Sequence, residues 1–273
     1  MPDFALAHLT LLDTAPPTYF ELAAAAGFRT IGLRLHPASV GGPAYPMEPR
    51  SEALRQCKRQ LQEANLRIFD VEFVSIAPNF NALDYRGLLD AAAELGAQRL
   101  NVSGDDGDFE RLATHFAEVC DLASGHGMAV DLEFMRWREV ATIEDALDVV
   151  NRADRPDGRI LVDSLHLFRS GGTVEDLAAI PKKRLGALQL SDAPKTLPTG
   201  MDVIEEARTC RYGPGEGELD LAGIMRVIPE SLPLGVEVPT QRSVPAHDAA
   251  ARARYAFGAT DHFLRNNPAG GRK

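Results

Sequence analysis

The chain has 273 residues, of which 45% are hydrophobic and 25% charged, so it is a globular chain large enough for two small domains or one large α/β barrel. Thirty-nine acidic residues against 29 basic ones give a formal net charge of -10, which disfavours nucleic acids and anionic membranes as partners. Cys57, Cys120 and Cys210 are widely separated, and neither a leader pattern nor an apolar run of membrane-spanning length is visible, which together favour a soluble protein of the reducing cytoplasm.

Strand-like and helix-like segments alternate eight times along the chain. Apolar runs bounded by turn residues predict strands at residues 5–11, 30–35, 67–76, 99–103, 129–134, 160–163, 187–190 and 234–238. Amphipathic patterns predict helices at residues 18–26, 52–64, 84–95, 108–126, 142–152, 174–179, 221–227 and 246–264. Eight such units predict one (β/α)8 TIM-barrel domain over residues 1–273, with a doubly wound open sheet as the competing architecture.

Several junctions support these boundaries. Gly27 and Gly96 stand where a helix would stop before the next strand, and Thr142 with Asp145 three residues later predicts a helix start. Two connections, 36–50 and 191–218, are longer than a strand-to-helix loop needs, and we expect them to form lids or walls of a substrate site. We expect residues 265–273 to be a disordered tail.

Four predicted strands end in a carboxylate or an amide, namely Glu133, Asp163, Gln189 and Glu237. The carboxyl ends of consecutive barrel strands form one rim, so these side chains are expected to converge. Three carboxylates in a partly dry cavity repel one another unless a cation lies among them, and oxygen donors favour manganese or magnesium while leaving cobalt and zinc open. The alternative is that each is an ordinary polar residue at a strand end that faces water or caps the next helix.

Five segments carry a resemblance to a known family: 132–137 (LEFMRW), 162–166 (VDSLH), 188–194 (LQLSDAP), 211–217 (RYGPGEG) and 236–239 (VEVP). Their order and spacing resemble the sugar phosphate isomerase/epimerase family, whose members look like xylose isomerase barrels. The resemblance covers nearly the whole chain and implies that Glu133, Asp163, Gln189 and Glu237 bind one divalent metal. In the family, the third of these four ligand positions is commonly a histidine. The glutamine found there in this chain, Gln189, is more similar to the dehydratase branches, including 3-dehydroshikimate dehydratase and inosose dehydratase.

The resemblance also implies a reaction through an enediolate, with Glu133 and Glu237 as the paired acid and base on opposite faces of the substrate. Return of the proton gives an epimer or an isomer, whereas loss of a hydroxyl group gives a dehydrated product. We predict an isomerase or epimerase of carbohydrate metabolism that acts on a small ketose or polyhydroxylated carbonyl compound, with a dehydratase as the second choice. Two alternative functions belong to other classes of protein: a non-catalytic binding barrel and a nuclease of the endonuclease IV type. Members of the family are often dimers or tetramers, so a homo-oligomer is possible, and the sequence leaves the oligomeric state open.

Candidate substrate-binding residues are His166, Arg211, Glu139, Trp137 and His36. The resemblance places His166 and Glu139 against substrate oxygens, while a helix cap and an exposed loop position are the respective alternatives. The dehydroshikimate dehydratases carry a histidine near Glu139, which this chain lacks. Arg211 has the planar fork that binds a carboxylate or phosphate, although it could instead fix its own loop. Trp137 could form an apolar wall against the face of a sugar, or it could pack against the long loop. His36 could face the cavity from the second strand.

Overall fold

The computed structural model describes residues 3–39, 41–240 and 248–271. Eight parallel strands close into a barrel in chain order, with β8 paired to β1. The strands are β1 (Ala5–Leu6), β2 (Thr30–Arg34), β3 (Arg67–Ile76), β4 (Arg99–Gly104), β5 (Ala129–Glu133), β6 (Gly158–Asp163), β7 (Leu185–Leu190) and β8 (Leu234–Val236). The predicted (β/α)8 barrel is confirmed, and the open doubly wound sheet is excluded.

Helices surround the barrel, and their apolar faces pack against the outside of the strands. They are α1 (Pro16–Ala26), α2 (Glu52–Glu63), α3 (Arg86–Glu94), α4 (Phe109–Ser124), α5 (Ile143–Ala153), α6 (Ser164–Arg169), α7 (Val174–Ala179), α8 (Val203–Thr209), α9 (Leu221–Val227) and α10 (Ala249–Asn266). Short 3₁₀ helices lie at His8–Leu11, Ala82–Tyr85, Lys182–Arg184 and Ala269–Gly271. The last helix and the 3₁₀ turn occupy most of the segment that was expected to be a disordered tail.

The predicted end of α1 and the predicted start of α5 are confirmed by their caps, whereas α1 begins at Pro16, two residues before its predicted start. Gly27 ends α1 in the left-handed conformation, with φ of 117°, which residues with a side chain rarely adopt. At the start of α5, the Thr142 side chain accepts a hydrogen bond from the Asp145 backbone, and the Asp145 side chain accepts one from the Thr142 backbone. Local sequence chemistry therefore sets these two ends.

The hydrophobic pattern alone does not predict α6 and α8. α6 begins directly after β6, and α8 lies within the long connection 191–218. Each begins at an aspartate whose side chain accepts backbone N–H groups, Asp163 for α6 and Asp202 for α8. For the last predicted helix, Ala246 and His247 lie outside the described residues.

The first predicted strand, residues 5–11, is wrong beyond Leu6, because the backbone turns into a 3₁₀ helix at His8. Side chains of this 3₁₀ helix accept hydrogen bonds from the backbone of β2 and of the segment that follows β8. His8 Nδ1 accepts from the Arg34 backbone at 3.0 Å, and Thr10 Oγ1 accepts from the Val238 backbone at 3.0 Å. These bonds replace the ladder that a longer first strand would have formed.

Burial makes His8 an acid-sensitive element of stability. It stacks on Tyr19 at 4.2 Å, and burial lowers its pKa from 6.5 to about 4 despite the nearby charge of Glu72. In the unfolded chain His8 therefore binds a proton below about pH 6.5, whereas in the folded protein it does so only below about pH 4. The free energy of unfolding consequently falls as the pH falls through this range. We expect His8 to account for a loss of about 2 kcal/mol between pH 7 and pH 5.

The variant His8→Gln removes this titration while keeping an amide that can donate to the Thr14 carbonyl. Urea unfolding at pH 7 and pH 5 measures the effect, and His166 contributes equally to both proteins. Equal losses of stability in the wild type and in His8→Gln would contradict the assignment.

Charged side chains fill part of the barrel interior. Arg99 of β4 donates to both oxygens of Asp131 on β5, and the Nη2–Oδ1 distance is 2.8 Å. Gly186 of β7 faces this ion pair. A Cβ atom there would overlap Asp131 Oδ1 and lie 2.9 Å from Arg99 Nη2. The glycine therefore leaves the space that the ion pair fills.

We expect Gly186→Ala to destabilise the fold by about 3 kcal/mol, because the methyl group would force apart a buried ion pair. Gly87→Ala on α3 is the matched control, since no atom lies within 4 Å of its Cβ position. That control should gain about 0.5 to 1 kcal/mol from lower backbone entropy in the unfolded chain. Urea unfolding at pH 7 compares the two, and similar midpoints would contradict the role of Gly186.

Candidate active site

A cavity opens at the carboxyl ends of the strands, where barrel enzymes carry their catalytic groups. Its wall comes from strand ends and from the two long loops that the sequence singled out. Its lining residues are Leu9, Leu12, Arg34, Ala38, Ser39, Gly42, Pro43, Glu72, Phe73, Asn101, Glu133, Met135, Trp137, Arg138, His166, Ala207, Arg208, Arg211 and Glu237. Both loops thus contribute walls, as expected.

Glu133, Asp163 and His166 form a buried cluster, and Glu133 and His166 also line this cavity. One ligand atom from each lies within 4.8 Å of the others. Strand ends place the two carboxylates, and α6 places His166, because Asp163 Oδ1 accepts a hydrogen bond from the His166 backbone at 3.0 Å. Asn101 Nδ2 donates to Glu133 Oε2 at 3.1 Å and so fixes the orientation of that carboxylate.

Arg211 joins two of the predicted strand-end carboxylates. It is fully buried and donates from Nη1 to Asp163 Oδ2 at 2.5 Å, while Nη2 lies 2.9 Å from Glu237 Oε2. Its Nε donates to the carbonyl of Ala207 at 2.7 Å. The arginine is therefore held by α8 on one side and by the acids on the other, and its ion pairs among the described residues are with Asp163 and Glu237.

The buried acids of the cluster differ in the direction in which their surroundings shift their pKa values. Burial, then the negative charges of Glu237 and Asp163, raise the pKa of Glu133 well above its usual value. Burial raises the pKa of Glu237 to about 7, although Arg211 opposes the rise. Burial alone would also raise the pKa of Asp163, but Arg211 and then His166 bring it below its usual value. Burial lowers the pKa of His166 to about 4, so this ring is neutral near pH 7.

The remaining predicted residues differ in placement. Trp137 lines the cavity and meets the His166 ring edge-on at 5.0 Å. Gln189 is buried near the strand ends but does not line the cavity. Glu139 is exposed and His36 is partly exposed, and neither lines the cavity. His36 Nδ1 instead lies 3.0 Å from the Phe73 carbonyl.

The cavity lining also contains polar residues that the sequence pattern did not indicate, among them Arg34, Asn101, Arg138 and Arg208. The first two occupy inward-facing strand positions, and a polar residue within an apolar strand was the available signal. Arg138 pairs with Asp105, whereas Arg208 lies on the unpredicted α8. Finding the last two required the loop conformations.

The loop between β7 and α9 is fixed in place by buried polar contacts. Arg169 pairs with Glu206 at 2.7 Å and also donates to the carbonyls of Pro194 and Lys195. Asp192 accepts hydrogen bonds from the backbone N–H groups of Ala193, Gly215 and Leu219. These contacts hold Ala207, Arg208 and Arg211 against the cavity.

The donor set is compatible with a divalent metal. Glu133, Asp163 and Glu237 carry three negative charges when ionised, and Arg211 supplies one positive charge, since His166 is neutral. A divalent ion would balance the rest. Gln189 Oε1 is a buried oxygen with no hydrogen-bond partner among the described residues, as expected of an unused ligand atom.

The chain belongs to the family of xylose isomerase-like TIM barrels, whose model matches residues 20–258. It is 33% identical over 158 residues to a 3-dehydroshikimate dehydratase of Pseudomonas aeruginosa, which is 55% of this chain and 24% of that protein. It is 28% identical over 115 residues to an inosose isomerase of Bacillus subtilis, or 41% of this chain and 40% of that protein. The aligned stretches thus span well under half the length of these relatives.

Among solved structures, the fold is similar to that of the IOLI protein with a bound zinc atom. The TM-score is 0.79 at 18% identity, and the match covers 97% of this chain and 99% of that one. At this sequence identity, the similarity shows only that the two proteins share the same fold. None of the helices in the described part of the chain has the length and apolar character that crossing a membrane requires.

Proposed function

We propose that this protein is a metal-dependent isomerase or epimerase that enolises a small ketose or polyhydroxylated carbonyl compound. The observation that carries the proposal is that Glu133, Arg211 and Glu237 line one cavity, and that Arg211 pairs with both Glu237 and the buried Asp163. The family relationship supports the barrel enzyme class, and the inosose isomerase relative supports the reaction type.

Glu133, Asp163, Gln189 and Glu237 would hold one divalent ion, for which manganese or magnesium is proposed from the oxygen donors. His166 lies close enough to Glu133 and Asp163 to be a further donor. When bound, the metal supplies positive charge that stabilises an oxyanion developing on the substrate.

Glu133 and Glu237 are the proposed acid and base. One carboxylate takes the proton from the carbon beside the carbonyl, the C–H electron pair enters the enediolate, and a proton then returns to carbon from a carboxylic acid. Without the ion, burial raises the pKa of Glu237 to about 7, and a bound cation would lower it, so that Glu237 would begin the reaction as the carboxylate. Arg211 would hold the carboxylates in place, while Trp137 and His166 would contact the substrate from the wall.

Dehydration is the second candidate, favoured by the alignment with the Pseudomonas dehydratase. The first step would be the same, but the enediolate would expel a neighbouring hydroxyl group as water. Neutral His166 is a poor acid for that departure, so Glu237 in its protonated form would supply the proton.

The test is proton exchange in deuterated buffer. Protein stripped with a chelator and then reloaded with manganese is incubated with ketoses, inososes and 3-dehydroshikimate, and mass spectrometry follows deuterium in substrate and product. We expect about one equivalent of bound metal and deuterium at carbon in at least one compound. An isomeric product supports the first candidate, and a dehydrated product supports the second.

A protein that binds no divalent ion on titration would contradict the proposal. So would a metal-loaded protein that exchanges deuterium into none of these compounds. Either result would favour a non-catalytic binding barrel.

A further inference from the structure

A second group of charges lies in the barrel on strands β2 to β5. Among the described residues it contains the carboxylates of Asp70, Glu72 and Asp131 and the guanidinium groups of Arg34 and Arg99, all buried. Asp131 pairs with Arg99, and Glu72 pairs with Arg34. Asp70 is the acid left without a cation of its own, and an isolated ionised carboxylate is very costly to bury.

Two carboxylate oxygens of this group have no hydrogen-bond partner in the described part of the chain. They are Asp70 Oδ1 and Glu72 Oε1, and both are buried. A Cβ atom at Gly32 would overlap the first and lie 3.1 Å from the second. Both oxygens therefore lie close to one point in the barrel, which Gly32 leaves open because it has no side chain. Two carboxyl groups that come within hydrogen-bond distance of each other can share one proton.

The other oxygen of Glu72 holds Arg34. Glu72 Oε2 accepts from Arg34 Nε at 2.9 Å and from Nη2 at 2.6 Å. No hydrogen bond within the described ranges uses Arg34 Nη1, and Arg34 lines the cavity. A guanidinium group fixed on one edge by a carboxylate has its remaining N–H groups oriented in advance for an acceptor.

We propose that Asp70 is a neutral carboxylic acid that shares its proton with Glu72, and that this pair positions Arg34 to donate a hydrogen bond to a substrate oxygen. Arg34 is then a specificity residue on the β2 side of the cavity, and Asp70 and Glu72 are positioning residues. The proposal rests on the proposed function for its substrate, whereas the shared proton is a property of the protein alone.

The surroundings support a neutral Asp70. Burial, and after it the charges of Glu72, Asp131 and Glu237, raise the pKa of Asp70 well above its usual value, and Arg99 opposes them only in part. The hydrogen that Asp70 carries would satisfy the orphaned oxygen of Glu72. Glu72 then keeps its ion pair with Arg34.

The first experiment needs no substrate. Infrared spectra of the manganese-loaded protein at neutral pH, in water and in deuterium oxide, report the C=O stretch of protonated carboxylic acids. We expect the difference between wild type and Asp70→Asn to contain one such band. Asp106→Asn is the control, because Arg111 lowers the pKa of this buried acid and it contributes no band. Absence of the band from the Asp70 difference spectrum would overturn the shared proton.

The second experiment measures binding rather than turnover. Trp137 is the single tryptophan and lines the cavity, so its fluorescence reports binding of 3-dehydroshikimate, an inosose or a ketose. We expect Arg34→Met to weaken binding about tenfold or more, since it loses a hydrogen bond from a charged donor. Asp70→Ala should weaken it in the same direction.

The conservative variant Asp70→Asn should bind within about twofold of wild type, because its amide can donate to Glu72 as the acid does. This rescue separates positioning from a simple loss of fold. If Arg34→Met leaves the titration of all three compounds as in wild type, the substrate contact is overturned. Failure of proton exchange with normal binding would instead contradict the proposed function alone.

Discussion

Replacing either Glu133 or Glu237 by glutamine is expected to lower the rate of deuterium exchange into the substrate by about 1000-fold or more. Glutamine has nearly the same shape but cannot take up or return a proton near neutral pH. Each substitution also removes one negative charge from the three that surround the site, so metal content should fall as well. Exchange kinetics and metal analysis of the same preparations measure both effects.

Glu118→Gln is the matched control, since Glu118 is exposed on α4 and lies outside the cavity. It should exchange deuterium and bind metal as the wild type does. If one of the two glutamine variants keeps full exchange, that glutamate is not the acid or the base. If both keep full exchange, the proton is carried by a different group.

The second large effect is expected at Arg211. In Arg211→Met, the buried carboxylates of Asp163 and Glu237 lose the cation that both contact. Removing one partner from a buried ion pair costs about 3 to 5 kcal/mol, and we expect that loss of unfolding free energy in the presence of a chelator. Manganese should recover more stability in the variant than in the wild type, because the ion would then offset a larger negative charge.

Urea unfolding with chelator and with excess manganese measures this difference. Arg208→Met is the control, because Arg208 is exposed and forms no ion pair within residues 3–39, 41–240 and 248–271. A chelated Arg211→Met protein as stable as the wild type would show that the carboxylates do not need the arginine.

The barrel was predictable because two simple signals agree along the chain. Apolar runs and amphipathic segments alternate eight times, and the polar groups Glu133, Asp163 and Gln189 end their runs at the same relative place. Parallel strands in sequence order then bring those ends to one rim. The convergence of Glu133 and Asp163 therefore followed from topology before any side-chain position was known.

The residues that line the site from β2, β3 and the loops could not be predicted from the sequence in the same way. A strand pattern does not state which of two neighbouring residues faces inward, so Arg34 and Glu72 could not be separated from His36 before the barrel closed. Loop residues depend on contacts far away in sequence. Arg208 reaches the cavity because Arg169 and Glu206 hold the preceding turn of chain in place.

The paired charges inside the barrel constrain how this sequence can change over evolutionary time. Arg99 and Asp131 belong to different strands, and loss of either would leave the other ionised in a dry interior. Substitutions at two such positions are tolerated more readily together than singly. Aligned sequences of this family should therefore show correlated exchange between positions 99 and 131, with larger residues entering at position 186 when the charges are lost.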